Sequence, residues 1–193
     1  AALGFSVIEQ GGRWQVADGQ DQLAKPSYDL KSIHRNRGFI DDMRRTLTEL
    51  GFELQQIDHE DAMGQYEINY RFDDALSAAD RYMLFKVTAH AVAEQHGMTF
   101  SCMPKPMASA PGSGLHFHLS ITDAQGRAVF ADPAGALGIG QLGHQFIAGL
   151  LHHADALCAL CAPTVNSYKR LASSDSASGT TWSPVWKAYG DNN

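Results

Sequence analysis

Basic residues are scarce in this chain. Its 193 residues hold 15 Lys and Arg against 21 Asp and Glu, a net charge of −6, and no basic run. Nucleic-acid binding normally draws on clustered cations, so nucleic acid is a poor partner. No apolar run approaches the roughly 20 residues of a membrane-spanning helix. The opening AALGFSVIEQ lacks the basic region and cleavage site of a secretory signal. Only three cysteines occur, Cys102, Cys158 and Cys161, all in apolar surroundings. Cys158 and Cys161 have CxxC spacing but no second Cys/His pair, so the reading is two small residues on a buried helix face. A reducing cytoplasm fits that usage. Several chemical signatures are missing as well. No GxSxG elbow, GxxxxGK[ST] loop or GxGxxG turn occurs, which removes the sequence arguments for a triad hydrolase and for common nucleotide folds.

What is present is a 44% hydrophobic chain, long enough for a real core. It reads as one domain or part of one. It opens in strand-like sequence without a start Met and ends soon after a Trp/Pro-rich stretch, which predicts a piece of a longer protein. Alternation around Gly11-Gly12 predicts a hairpin, and residues 18–33 are polar and loop-like. Ile40, Met43, Leu47 and Leu50 recur at helical spacing before Gly51, predicting a helix over 38–50. FELQQID and GQYEINYRF predict strands, the second with Tyr66, Ile68, Tyr70 and Phe72 on one face and Glu67 on the other. Residues 77–96 predict a second helix with Ser77 as its N-cap. MTFSCMP and GLHFHLSI predict further strands, GRAVF a short one, and residues 138–161 a third, mostly apolar helix. Hairpins alternating with long helices indicate an α+β fold, with an antiparallel sheet whose one face is polar.

In GLHFHLSI, alternation sets Leu115, Phe117, Leu119 and Ile121 in one row and His116, His118 and Ser120 in the other. Glu67 lies on a polar strand face, and Asp58, His59, Glu60 and Asp61 lie close by in sequence. Carboxylates with an imidazole suit a divalent ion of the Mg²⁺ or Mn²⁺ type. A solvated sheet face explains the same pattern, and both readings stand on spacing alone. The flanking aromatics around Glu67 make an uncompensated carboxylate costly, and glycines before His116 permit close approach of a ligand. Cupin and amidohydrolase readings of HxH are weak, because only Asp123 follows His118, and late, and because the motif falls mid-chain.

DHEDAMGQYEINY, MPKPMASAPGSGLHFHLS and APTVNSYKRL, in this order and at these separations, resemble the catalytic domain of glutamine synthetases. The likeness runs from Tyr28 onward. It implies a funnel-shaped site lined by antiparallel strands with flanking helices, with the family's N-terminal β-grasp domain and the C-terminal part of the catalytic domain absent from residues 1–193. It implies an ATP-dependent ligase that joins the γ-carboxylate of L-glutamate to ammonia or a small amine through γ-glutamyl phosphate. By resemblance, Glu60, Glu67 and His116 are metal ligands for Mg²⁺ or Mn²⁺, His118 and Ser120 contact ATP, and Gly112 lies in the glutamate loop. Arg170 holds the glutamate carboxylate and serves catalysis. The resemblance also implies a ring homo-oligomer with shared sites, and it makes this chain alone an incomplete, inactive site. Two departures stand out. Pro111 replaces the usual Asn before Gly-Ser-Gly, and Trp182 falls where a flap Glu is expected, so the pocket should favour a larger or neutral amine, as in the branch making γ-glutamylmethylamide or γ-glutamylpolyamines. His59, His144, His152 and His153 are expected to serve structure or solvation. A non-catalytic binding or scaffold relative is the competing reading.

Overall fold

The computed structural model describes residues 2–10 and 13–172. These fall into two compact units that meet in sequence at His116 and Phe117. The first unit carries a five-stranded antiparallel sheet: β1 (Ala2–Gln10), β2 (Arg13–Val16), β3 (Leu54–His59), β4 (Gln65–Tyr70) and β5 (Thr99–Ser101). β1 pairs with β4 through residues 2–5, with β5 through 5–7 and with β2 through 7–10. Gln10 opposes Arg13, the register of a hairpin with two residues between its strands.

Three helices belong to this unit: α1 (Leu30–Arg35), α2 (Arg37–Glu49) and α3 (Ala75–Gln95). α2 buries Phe39, Ile40, Met43 and Leu47, and α3 buries Phe85, Ala89, Val92 and Ala93. Both sets recur at three- and four-residue intervals, so each helix presents one apolar stripe. The stripes meet Tyr66 and Ile68 of β4, Phe52 and Phe100 in a single core. Both long helices thus cover the face of β4 that carries Tyr66 and Ile68. Its Gln65–Glu67–Asn69 face stays outside that core. Gly51 and Gly97 follow the helices at φ +83° and +68°, where a side chain would be strained.

Several expectations change here. α3 is capped by Asp74, whose carboxylate accepts from the amides of Leu76 and Ser77, so Ser77 lies inside the helix. β4 ends at Tyr70, and Phe72 beyond it is 83% exposed rather than on the core face. Within the polar stretch 18–33, residues from Leu30 onward begin the short α1, started by the Asp29 carboxylate on the amides of Lys31 and Ser32.

The second unit contains a 3₁₀ turn (Ala136–Gly138), α4 (Gln141–His152), α5 (Ala154–Cys161) and α6 (Val165–Ala172). The single long helix expected over 138–161 is broken at His153, and α5 exposes Leu160 and Cys161. Cys161 is therefore not on a buried face. GLHFHLSI forms no ladder among the described residues, and Phe117 is 74% exposed. Pairing in this region is confined to isolated bridges, Thr122 with Ala128 and Ala131 with Ile139. Alternation supplies the faces of a strand, but a ladder also needs a neighbouring backbone. Among the described residues, no helix is long and apolar enough to cross a membrane.

Candidate active site

The β3–β4 hairpin builds the acidic centre. Asp58 opposes Glu67 directly, and the Glu60 amide donates to the Gln65 carbonyl at 2.9 Å, extending the ladder past β3. Glu60 and Glu67 are then diagonal neighbours on one sheet face, the spacing at which long side chains touch. Their carboxyls do touch. Burial and a hydrogen bond to Glu67 push the Glu60 carboxyl from its usual 4.5 up to about 7, against a lowering contribution from the Asp61 amide. Two partly desolvated carboxylates share a proton when no cation stands between them. That donor chemistry fits a hard divalent ion.

The surrounding loops hold this turn rigidly. His59, one residue before Glu60, points to the opposite side of the hairpin and is wholly buried. Its Nδ1 faces the Glu60 carbonyl at 2.8 Å and its Nε2 faces the Asp21 carboxylate at 2.7 Å. Both partners are acceptors, so the doubly protonated ring is the form that satisfies both contacts. Burial opposes that charge, but the Asp21 and Glu60 hydrogen bonds prevail and raise its pKa. Asp21 also accepts from the Gly64 amide at 2.6 Å. The Ser27 hydroxyl donates to Asp61, and the Tyr28 amide donates to the His59 carbonyl at 2.9 Å.

The expected site residues that are described lie in both units. Glu60 and Glu67 come together as expected. His116 is exposed, and no three His, Cys, Asp or Glu side chains among the described residues converge closely enough to hold a metal ion. Glu60 and Glu67 are thus brought together, without a third such side chain completing a metal-holding group among the described residues. Gly112 is in the same unit as the carboxylates, and its carbonyl accepts from Gln65 Nε2 at 3.1 Å. His118 and Ser120, both exposed, and Arg170 belong to the second unit. Arg170 lies on α6, half-buried, and burial lowers its guanidinium pKa. Trp182 lies outside the described residues.

Two residues gain roles that the sequence did not signal. Asp21 is one acid in a polar stretch, and its pairing with His59 spans 38 residues. Gln65 is readable as a companion of Glu67, but nothing local predicts its bond to Gly112.

The shared proton has a measurable consequence. A divalent ion must displace it, so apparent metal affinity should rise with pH up to about 7 and level off above. Calorimetric titration with Mn²⁺ between pH 5.5 and 8 checks this, with proton release falling away above pH 7. Unfolding without metal should run the other way. A carboxyl whose folded pKa is raised contributes stability below its unfolded value of 4.5, and that contribution is lost as pH rises through about 7.

Comparison with known proteins fits this geometry. The profile of the glutamine synthetase catalytic domain matches residues 6–193. A glutamate–methylamine ligase of Methyloversatilis universalis is 47% identical over 192 residues, covering 98% of this chain and 43% of the relative. A glutamine synthetase of Rhizobium leguminosarum bv. phaseoli is 41% identical over 190 residues, again covering 98% and 43%. A solved structure of GmaS with ADP aligns at a TM-score of 0.80 and 40% identity, covering 86% of this chain and 39% of that one. The chain thus spans less than half the length of the curated relatives it matches. With an α+β fold of this kind and a match across nearly its whole length, the chain belongs to the glutamine synthetase family.

Proposed function

We propose that the protein carrying this chain is an ATP-dependent ligase joining the γ-carboxylate of L-glutamate to a small amine, with methylamine preferred over ammonium. Residues 1–193 form the middle of its catalytic domain. Cytoplasmic location, a ring homo-oligomer with shared sites, and inactivity of this stretch alone belong to the same proposal.

The observation that carries it is the Glu60–Glu67 pair, two carboxylates held together on the sheet face outside the helical core. In this reading Glu60, Glu67 and His116 hold Mg²⁺ or Mn²⁺. Such ions, when bound, neutralise charge on the transferring phosphoryl group. His118 and Ser120 contact ATP. The Gly112 loop and Arg170 position glutamate, the latter through its carboxylate. A γ-carboxylate oxygen bonds to the terminal phosphorus as the bond to ADP breaks. The amine nitrogen then bonds to the acyl carbon, phosphate leaves, and the nitrogen loses a proton. Arg170, half-buried and cationic, suits a carboxylate partner, since desolvation strengthens the pair.

The amine preference rests on Pro111, on Trp182, and on the likeness to a glutamate–methylamine ligase. Phosphate release by the full-length protein, given ATP and glutamate with ammonium, methylamine or putrescine, tests both parts. Methylamine is expected to give the highest kcat/KM, by roughly 10-fold, the scale of one methyl-sized pocket difference. An ammonium-led ranking overturns the amine assignment. Absence of turnover with all three overturns the ligase reading and favours a non-catalytic binding protein.

A further inference from the structure

The loop 104–114 is built on the acidic hairpin rather than beside it. Gln65 opens β4, its side chain is buried, and both ends of its amide are used. Oε1 accepts from the Ala62 amide at 3.0 Å, closing the turn that follows Glu60. Nε2 donates to the Gly112 carbonyl at 3.1 Å, 47 residues away. The Gln65 backbone meanwhile accepts from the Glu60 amide at 2.9 Å, and Glu67 follows two residues along the same strand face. A small apolar contact of Ala62, Ala110 and Met107 seals the same junction. Within the loop, buried Lys105 donates to the Ala110 carbonyl at 2.6 Å, and the Ser113 amide donates to the Pro104 carbonyl at 2.9 Å. The loop is thus held by its own bonds, and the Gln65 side chain hydrogen-bonds it to the hairpin turn.

We infer that Gln65 is a positioning residue for glutamate, setting the Gly112 loop at a fixed distance from the Glu60–Glu67 pair. This rests on the reading of Gly112 as part of the glutamate loop. The Ala62 bond fixes the Gln65 amide on its own hairpin, so its Nε2 is held in place for the Gly112 carbonyl and a shift of the loop breaks that bond. Without that tie the loop keeps its own bonds and its apolar contact with Ala62, but its placement relative to the acidic centre loosens. Glutamate then binds less well while the nucleotide side is untouched.

Gln65→Met and Gln65→Leu each remove both bonds, the first at nearly unchanged side-chain length. In the full-length protein both variants should raise KM for glutamate roughly 10-fold, the scale set by an unpaired buried acceptor. KM for ATP should stay within about twofold, because the tie does not reach the nucleotide residues. Calorimetric affinity for glutamate without divalent ion should fall by the same factor, a readout independent of turnover. A merely structural role would lower the active fraction and melting temperature and leave KM for glutamate unchanged, and that result overturns the inference. Should both variants fail to fold, amide exchange in the unmodified protein decides. Added glutamate should slow exchange in residues 60–65 as well as 112–114, and protection confined to 112–114 overturns it. If the unmodified protein neither turns over nor binds glutamate, the ligase reading fails instead, and the two failures are distinct.

Discussion

Glu67→Gln in the full-length protein is expected to lower phosphate release from ATP by roughly 10²–10³-fold, the range found when one group stabilising transition-state charge is removed. Glutamine keeps the length and shape of the side chain, so β4 should retain its place between β1 and β3. What disappears is half of the negative charge that faces Glu60. The proton shared by the pair then loses its second support, and the Glu60 pKa should move down from about 7, while burial, the larger cause, still holds it above 4.5. Affinity for Mn²⁺ should fall even though Glu60 becomes easier to ionise, since a hard cation gains more from a second anionic oxygen than from easier deprotonation of the first. Phosphate-release assays with parallel calorimetry check this, and circular dichroism confirms the fold. Activity within tenfold of the unmodified protein, with intact metal affinity, would remove Glu67 from the metal site.

Local pattern carried much of the first unit. α2 and α3 were legible because their buried residues recur at helical spacing and because Gly51 and Gly97 mark their ends. β3 and β4 were legible because alternation matched a sheet with one covered face. The failures share a cause. Ser77 and Asp74 are both good caps in sequence, and only three-dimensional placement shows which one reaches the free amides. GLHFHLSI alternates as a strand should, yet a strand is a relation between two backbones, and no ladder partner lies among the described residues. The break at His153 has no proline or glycine to announce it, so an apolar run of that length reads as one helix.

The acidic centre was half legible. Glu60 and Glu67 sit seven residues apart, and a tight hairpin makes them diagonal neighbours, so sequence proximity and pairing register agree. His116 depends on where a separate segment lies, and spacing says nothing of that. The bonds of Gln65 to Gly112 and of Asp21 to His59 were invisible for the same reason, since the partners lie 47 and 38 residues apart.

Asp21 carries a large expected stability effect. Asp21→Ala should destabilise the fold by about 3–5 kcal/mol, the range for removing one partner of a buried charged pair. Its carboxylate receives both His59 Nε2 and the Gly64 amide, and neither side chain of the pair is exposed, so truncation takes an acceptor from two donors. His59 can shed its proton, which relieves the charge, but the Gly64 amide has no such route. Asp21→Asn keeps one acceptor oxygen and removes the charge, so it should fall between the two. The pH dependence separates these cases. His59 has a raised pKa in the fold, so its contribution is full below its unfolded value of 6.5 and lost as pH rises through the higher folded value. Urea unfolding from pH 5.5 to 8.5 should show that decline in the unmodified protein and a flatter profile in Asp21→Asn, because the group that held the proton is gone. Equal slopes in both would mean that the Asp21–His59 contact is a neutral hydrogen bond, and that the turn before Glu60 is held by backbone pairing alone.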